Sequence, residues 1–477
     1  MHIKLCGFCV ELAILCALVS ISNGQINTMR SSIPTYTPED TEDMGKPLFL
    51  TPYIRSKSKD IHAGQQLAQV RHPKLEWLTS YSGFLTVNKK YNSNLFFWYC
   101  KAQKNSETAP LVVWLQGGPG TTSLYGMFYE NGPFYLTPEL DFPPREYSWH
   151  LDHNIIYIDN PVGAGFSFTD NEQGYSNTQT EVAKNLYEAL QQFLDLFPEL
   201  RNREVFLTGE SFGGKYVPAL GYYIYLMNAD ATDYKVINLK GMAIGNGFSD
   251  PINQIDVLGH YLHATGLIDR NTRVIFEDIQ DDIKIDIEAG RNSDALTKLD
   301  NLMLHRNSLF ANVTGFTQLY NYVVPQESIF QPFLTFLKDA EIRKAIHVGG
   351  LTFTGSEDNE ALNHILGVFF ESVVEWITEL LTWYPIMFYT GQLDIEVPYI
   401  GTVNFIQKME YHNQEEYMNA PRHIWRVDGE VAGYAKQAGF LTEVLVRNAG
   451  HMVPLDQPKW ALDLITHLTY KKSFTSS

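Results

Sequence analysis

The sequence predicts an α/β fold, with a mainly parallel central sheet whose halves are separated by a helical insertion. Two patterns carry that expectation. Short apolar runs, each closed by a Gly or Pro cluster, recur as "PLVVWLQGGPG", "NIIYIDNPVGAG", "EVFLTGESFGG" and "LKGMAIGNGFSD". Runs of that length without polar alternation suit strands covered on both faces. Between two of them, Val182, Leu186, Leu190, Phe193 and Phe197 form a helical stripe within "TEVAKNLYEALQQFLDLFPEL", so strands alternate with helices.

At the N-terminus, Lys4, an apolar stretch and small residues around Ser22 and Gly24 read as a signal peptide over residues 1–24. Glu11 interrupts the apolar stretch, and a short signal anchor is the alternative reading. Residues 25–75 are polar, with Pro and Ser, and read as a leader that wraps the surface or is removed. From Tyr81 the pattern changes: "SGFLTV" and "NLFFWYC", joined by turn-rich residues, predict a hairpin. The first part of the sheet domain is therefore placed at 76–250. Polar helical stretches such as "DALTKLDNLMLHR" and "FLKDAEIRKAIHV" mark the insertion, 251–382. The α/β pattern then returns over 383–477 with "YPIMFYTG", "LTEVLVRNAG" and the helix "QPKWALDLITHL".

Composition narrows the function classes. The chain has 477 residues, 44% of them hydrophobic and 19% charged, with a formal net charge of -18. That suits a globular protein with a large core. It excludes a nucleic-acid surface, which needs clustered Lys and Arg. After the N-terminus no stretch is long and apolar enough for a transmembrane span. Of four cysteines, Cys6, Cys9 and Cys16 would leave with the signal peptide. Cys100 alone then remains, so no intrachain disulfide is expected, and the core must hold the fold. "NVT" at Asn312 is a glycosylation sequon consistent with the secretory pathway.

The chemistry lies in the glycine turns. "GESFG", residues 209–213, follows a strand-like run and precedes a helix-compatible segment, which is the setting of a nucleophile elbow. Gly209 and Gly213 leave room for a strained turn that would lift the Ser211 hydroxyl above the sheet edge. A serine hydroxyl is a poor nucleophile near neutral pH, so it needs a base and a carboxylate that orients the base. Asp394, just beyond "IMFY", and His451, just beyond "EVLV", supply these in the order Ser, acid, His. The developing oxyanion needs backbone donors. Phe212 N–H is one, and Gly118 in "QGGPG" is the other, because a residue without a side chain lets the reacting carbonyl approach. "DNPVGAG" is read as an ordinary turn. No H-E-x-x-H occurs and one mature thiol cannot build a metal site, so no metal is expected. The Gly-rich loops match neither a phosphate loop nor a dinucleotide fingerprint, so no cofactor is expected either.

Taken together, "WLQGGPG", "IDNPVGAGFSF", "TGESFGGKYVPA", "IGNGFSDP", "YTGQLDIEVP" and "GHMVPLDQP" resemble the motifs of serine carboxypeptidases of the carboxypeptidase Y type. The resemblance runs from about Tyr81 to Leu468. "KPLFLTPYI", Gln116 and "GEVAGYAKQAG" look closest to the vitellogenic carboxypeptidase-like branch. The resemblance implies an α/β-hydrolase fold with a helical cap, catalytic roles for Ser211, Asp394 and His451, and oxyanion donors at Gly118 and Phe212. It also implies a grip on the C-terminal carboxylate of a peptide or protein by Gln116, Glu130 and Glu210, with Trp114 beside them. Carboxyls facing a substrate carboxylate cannot all ionise, so a shared proton should raise an apparent pKa and favour acidic pH.

The chain departs from the family pattern in places. Gln116 stands where most relatives have Asn, Thr121 and Val397 stand where cysteines are common, and the insertion lacks its cysteine staples. Met452 after the histidine, rather than an acid, implies a pocket for an apolar leaving residue. The expected function is a carboxypeptidase of the secretory pathway, either secreted or in an acidic, lysosome-like compartment. An acyltransferase or esterase with the same triad is one competing reading, and a secreted storage or binding relative without activity is another. Glu130 and Glu210 favour the peptidase, and an intact triad argues against lost activity.

Overall fold

The computed structural model describes residues 33–39, 43–55, 60–231, 235–316, 318–324, 331–356 and 359–474. The segment read as a signal peptide, with Cys6, Cys9 and Cys16, lies outside them. A ten-stranded sheet runs in the order β1-β2-β4-β3-β5-β6-β7-β10-β9-β8. Its centre is parallel: β4 (Asn154–Ile158), β3 (Leu111–Leu115), β5 (Val205–Glu210), β6 (Leu239–Gly245), β7 (Ile386–Gly391) and β10 (Leu441–Val446). Each apolar run read from the sequence is one of these strands. The architecture is the α/β-hydrolase type.

An antiparallel hairpin closes each edge. β1 (Ser80–Asn88) and β2 (Ser93–Cys100) form the expected one, with β2 antiparallel to β4. The other, β8 (Arg422–Val427) and β9 (Glu430–Ala438), pairs with β10.

Alternation sends successive side chains to opposite faces. Val113 and Leu115 join one buried cluster, with Leu186, Leu190 and Phe193 of the helix Gln179–Leu196. Val112 and Trp114 join the other, with Trp460, Leu464 and Leu468 of the helix Pro458–Thr469. Thr178 caps the first of these helices by accepting from Glu181 N.

The helix Gly213–Ala229 tolerates Pro218 because the carbonyl the proline cannot serve, Gly214 O, accepts Ser249 Oγ instead, at 2.9 Å. The described residues before β1 are packed into the body: Ile33, Leu50, Ile54, Ala68 and Leu75 are all buried. Cys100 is buried as a free thiol, which burial pushes up in pKa.

Between β6 and β7 the described residues include the helices Leu258–Ala264, Arg270–Glu288 and Asn292–Leu299. Leu258, Leu299, Met303 and Leu304 from this stretch line a pocket that also contains Ser211. Asn312 is exposed on the helix Leu309–Thr314.

Candidate active site

β5 ends at Glu210, and the next helix begins at Gly213. Ser211 between them holds φ at 60°, a region costly for a residue with a side chain. Three backbone bonds hold the turn: Ser211 N donates to Gly245 O at 3.0 Å, while Ser211 O accepts Gly214 N at 2.9 Å and Phe248 N at 2.8 Å. The flanking glycines are sterically required. A Cβ on Gly209 or Gly213 would come within 2.7 or 2.8 Å of Leu115 O. Ser211 is half-buried and lines the pocket.

The loop after β3 lies directly against this turn. A Cβ on Gly117 would meet Phe212 N at 2.5 Å. Gly118, with φ at 113°, lines the pocket beside Ser211 and Phe212. Asp159, in the segment read as an ordinary turn, anchors that loop. Its carboxyl accepts Thr122 Oγ1 at 2.5 Å, Ser123 N at 3.0 Å and Phe166 N at 2.8 Å. Burial pushes its pKa up to about 6. From the far side, Asn359 Nδ2 donates to Gly120 O at 2.8 Å.

Asp394 follows β7 and is fully buried. Its oxygens accept Asn246 Nδ2 at 2.6 Å, Glu396 N at 2.8 Å, Val397 N at 3.2 Å and His451 Nδ1 at 2.9 Å. That bond at Nδ1 fixes the imidazole and leaves Nε2 on the side of Glu396, 4.0 Å from its Oε2. Glu396 lines the pocket that holds Ser211. His451 is braced from the insertion: its N–H donates to Tyr320 O at 2.6 Å, and the two rings stack with centroids 5.4 Å apart. Ile395 N donates to Leu319 O at 3.0 Å, so residues 319–320 touch both the acid loop and the histidine loop.

A second group of polar side chains lies beside the elbow. Trp114 Nε1 donates to Gln116 Oε1 at 2.8 Å, which orients the amide so that Nε2 donates to Glu210 Oε1 at 3.1 Å. Glu130, from the short helical turn Gly126–Glu130, lies against Glu210, and both are buried. Burial raises the pKa of each, and the charge of Glu130 raises Glu210 further, well above the usual carboxylate range. Arg145 gives its guanidinium to the carbonyls of Gly132, Phe128 and Phe134. Met452 is buried in the same apolar cluster as Tyr125 and Tyr129.

The structure thus brings Ser211, Phe212 and Gly118 to one pocket, joins His451 to Asp394, and groups Trp114, Gln116, Glu130 and Glu210. Sequence reasoning missed Asn246, Asp159, Tyr320, Asn359 and Glu396. For Asn246 a signal existed: an Asn at a strand end between glycines tolerates the positive φ it adopts here, 43°. Lys215, inside the quoted "GGKYVP", is also buried. Its ammonium donates to Glu371 O, and burial pushes its pKa down to about 7. Among the described residues, no group of His, Cys, Asp or Glu could hold a metal ion. No helix there is long and apolar enough to cross a membrane.

The sequence profile of the family described as serine carboxypeptidase matches residues 72–471. A venom serine carboxypeptidase of Apis mellifera is 47% identical over 449 residues, covering 92% of this chain and 95% of that protein. A vitellogenic carboxypeptidase of Aedes aegypti is 45% identical over 467 residues, covering 96% of each. A human protein named probable serine carboxypeptidase CPVL is 40% identical over 443 residues, covering 91% of each. Among solved structures, the prohormone-processing carboxypeptidase Kex1 of Saccharomyces cerevisiae superposes with a TM-score of 0.72 at 20% identity, covering 85% of this chain and 95% of that one, a likeness of fold. With the profile and the relatives both spanning most of its length, the chain belongs to the serine carboxypeptidase family and is a hydrolase of the exopeptidase kind.

Proposed function

We propose that the protein releases C-terminal amino acids from peptides through an acyl-enzyme, with Ser211 as nucleophile, His451 as base and Asp394 as its orienting acid. The observation that carries this reading is the buried Gln116–Glu210–Glu130 group, whose Glu210 directly precedes the nucleophile. A carboxylate bound there leaves only the last peptide bond within reach of Ser211.

In this mechanism the Ser211 Oγ proton passes to His451 Nε2 as Oγ bonds to the peptide carbonyl carbon. The N–H groups of Gly118 and Phe212 take the developing oxyanion. His451 then protonates the leaving amine, and the C–N bond breaks. Water repeats the sequence against the ester and frees Ser211. Trp114 acts through Gln116, since its one indole N–H is already donated to that amide. Met452, which shares a buried cluster with Tyr125 and Tyr129, meets the side chain of the leaving residue.

A substrate carboxylate adds a further negative charge to two carboxyls, so binding favours the state in which the pair keeps a proton. Activity is then highest at mildly acidic pH and falls as pH rises through the raised pKa of the pair. That dependence suits an acidic compartment reached by the secretory route, with Asn312 glycosylated; a mass unchanged by glycosidase treatment of the protein from its native source would count against that modification.

The deciding experiment is release of the C-terminal amino acid from a blocked dipeptide between about pH 4 and about pH 8, with Ser211→Ala as control. Release that peaks at acidic pH and vanishes in the variant supports the reading. No release from folded wild-type protein overturns it.

A further inference from the structure

The pocket containing Ser211 is lined by apolar side chains, among them Phe212, Phe248, Leu258, Met303 and Phe369, and by one charged side chain among the described lining residues, Glu396. Gln116, Glu130 and Glu210 do not line it. If the carboxylate of the leaving residue is held by those three, this pocket lies on the acyl side of the scissile bond and receives the penultimate residue. We infer that Glu396 is the specificity-determining residue of this pocket, selecting substrates whose penultimate residue carries a positive charge. This inference rests on the carboxypeptidase reading above.

Three observations support it. The Glu396 side chain is 5% exposed, yet it faces an apolar space, where low-dielectric walls leave the field of a carboxylate little screened. Its backbone is fixed, because its N–H donates to Asp394 Oδ1 at 2.8 Å; the acid loop that orients the base therefore also fixes this charge. Finally, Oε2 lies 4.0 Å from His451 Nε2, the atom that must handle the Ser211 proton. A group that near the reaction centre is within reach of the α-nitrogen and first side-chain atoms of the penultimate residue, which lie a few bonds from the attacked carbonyl.

The shared chemistry is a cation on the penultimate residue, and it has two sources. One is a Lys or Arg side chain, whose aliphatic stem would lie along the Phe and Leu walls. The other is the free α-ammonium of a dipeptide.

The test compares kcat/KM of wild type and Glu396→Gln on blocked Leu-Phe, blocked Lys-Phe and free Leu-Phe. Wild type should favour at least one cationic substrate over blocked Leu-Phe by about tenfold or more, and Glu396→Gln should remove most of that preference. The substrate that shows the preference identifies the source. Equal rates on all three substrates in wild type overturn the inference, and that result needs no variant. So does a Glu396→Gln protein of unchanged melting temperature that slows all three by one common factor, because Glu396 would then act on His451 alone. Folded wild type that releases nothing from any of them removes the carboxypeptidase reading, and this inference with it.

Discussion

Two buried acid sites flank Ser211, and they are furnished in opposite ways. Asp394 receives Asn246 Nδ2, two backbone N–H groups and His451 Nδ1. Glu210 receives one amide, from Gln116, and faces a second carboxyl, Glu130. Donor supply decides what a buried carboxyl can do. The first site has the donors to orient a base. The second is short of donors, which raises both carboxyls in pKa; in the proposed reading they share a proton and recognise another carboxylate. Their separation is topological: Asp394 follows β7, whereas Gln116 and Glu210 sit at the ends of the adjacent strands β3 and β5.

The comparison breaks most sharply at Asp394. Asp394→Asn keeps the shape but reverses the hydrogen-bonding role toward His451 Nδ1, so kcat should fall about 10⁴-fold with little change in KM. A loss below about tenfold would mean that His451 is oriented by something else, Tyr320 being the structural candidate. The next largest effect lies in the substrate. Amidating its C-terminus removes charge-assisted bonds to Gln116 and the Glu pair and should lower kcat/KM about 100-fold; equal rates on acid and amide would defeat the carboxylate grip.

The two sites were unequally legible in the sequence. Ser211 and its glycines form one contiguous string whose steric logic is local, and Asp394 and His451 stand at predictable strand ends. The central strands were legible because both faces are buried. β8 was not: "RHIWRV" buries only Trp425 fully and is a strand because β9 pairs with it, a fact no local pattern records. Tyr320 reaches His451 from a distant part of the chain, and Asn246 meets Asp394 across neighbouring strand ends. Glu396 drew no reading of its own, because no local pattern records which pocket it lines, and helices from the insertion build that pocket. Asp159 was passed over for the same reason, since its partners at Thr122 and Ser123 are distant in sequence.

A smaller effect sharpens the contrast. Glu210→Gln retains a neutral, hydrogen-bonding side chain but cannot ionise. At acidic pH its kcat/KM should stay within about tenfold of wild type. The decline on the alkaline side should weaken or disappear, because the group whose ionisation opposes substrate binding is gone. An unchanged alkaline limb would assign that limb to another group.

The smallest effect is on stability, and its sign follows from proton linkage. Burial and the neighbouring Glu130 raise the folded-state pKa of Glu210 above its ordinary value of 4.5. The folded protein therefore holds a proton that the unfolded chain releases. Stability from this group is fully present below about pH 4.5 and is lost as pH rises through the raised value. Glu210→Gln removes that loss. Its melting temperature should match wild type near pH 4 and exceed it progressively toward pH 8, by about 2 °C or more. Glu130→Gln should act in the same direction, because it removes the charge that raises Glu210. Parallel melting curves for wild type and Glu210→Gln across this range would mean that the folded protein carries both carboxylates ionised, and the contrast with Asp394 would then rest on geometry alone.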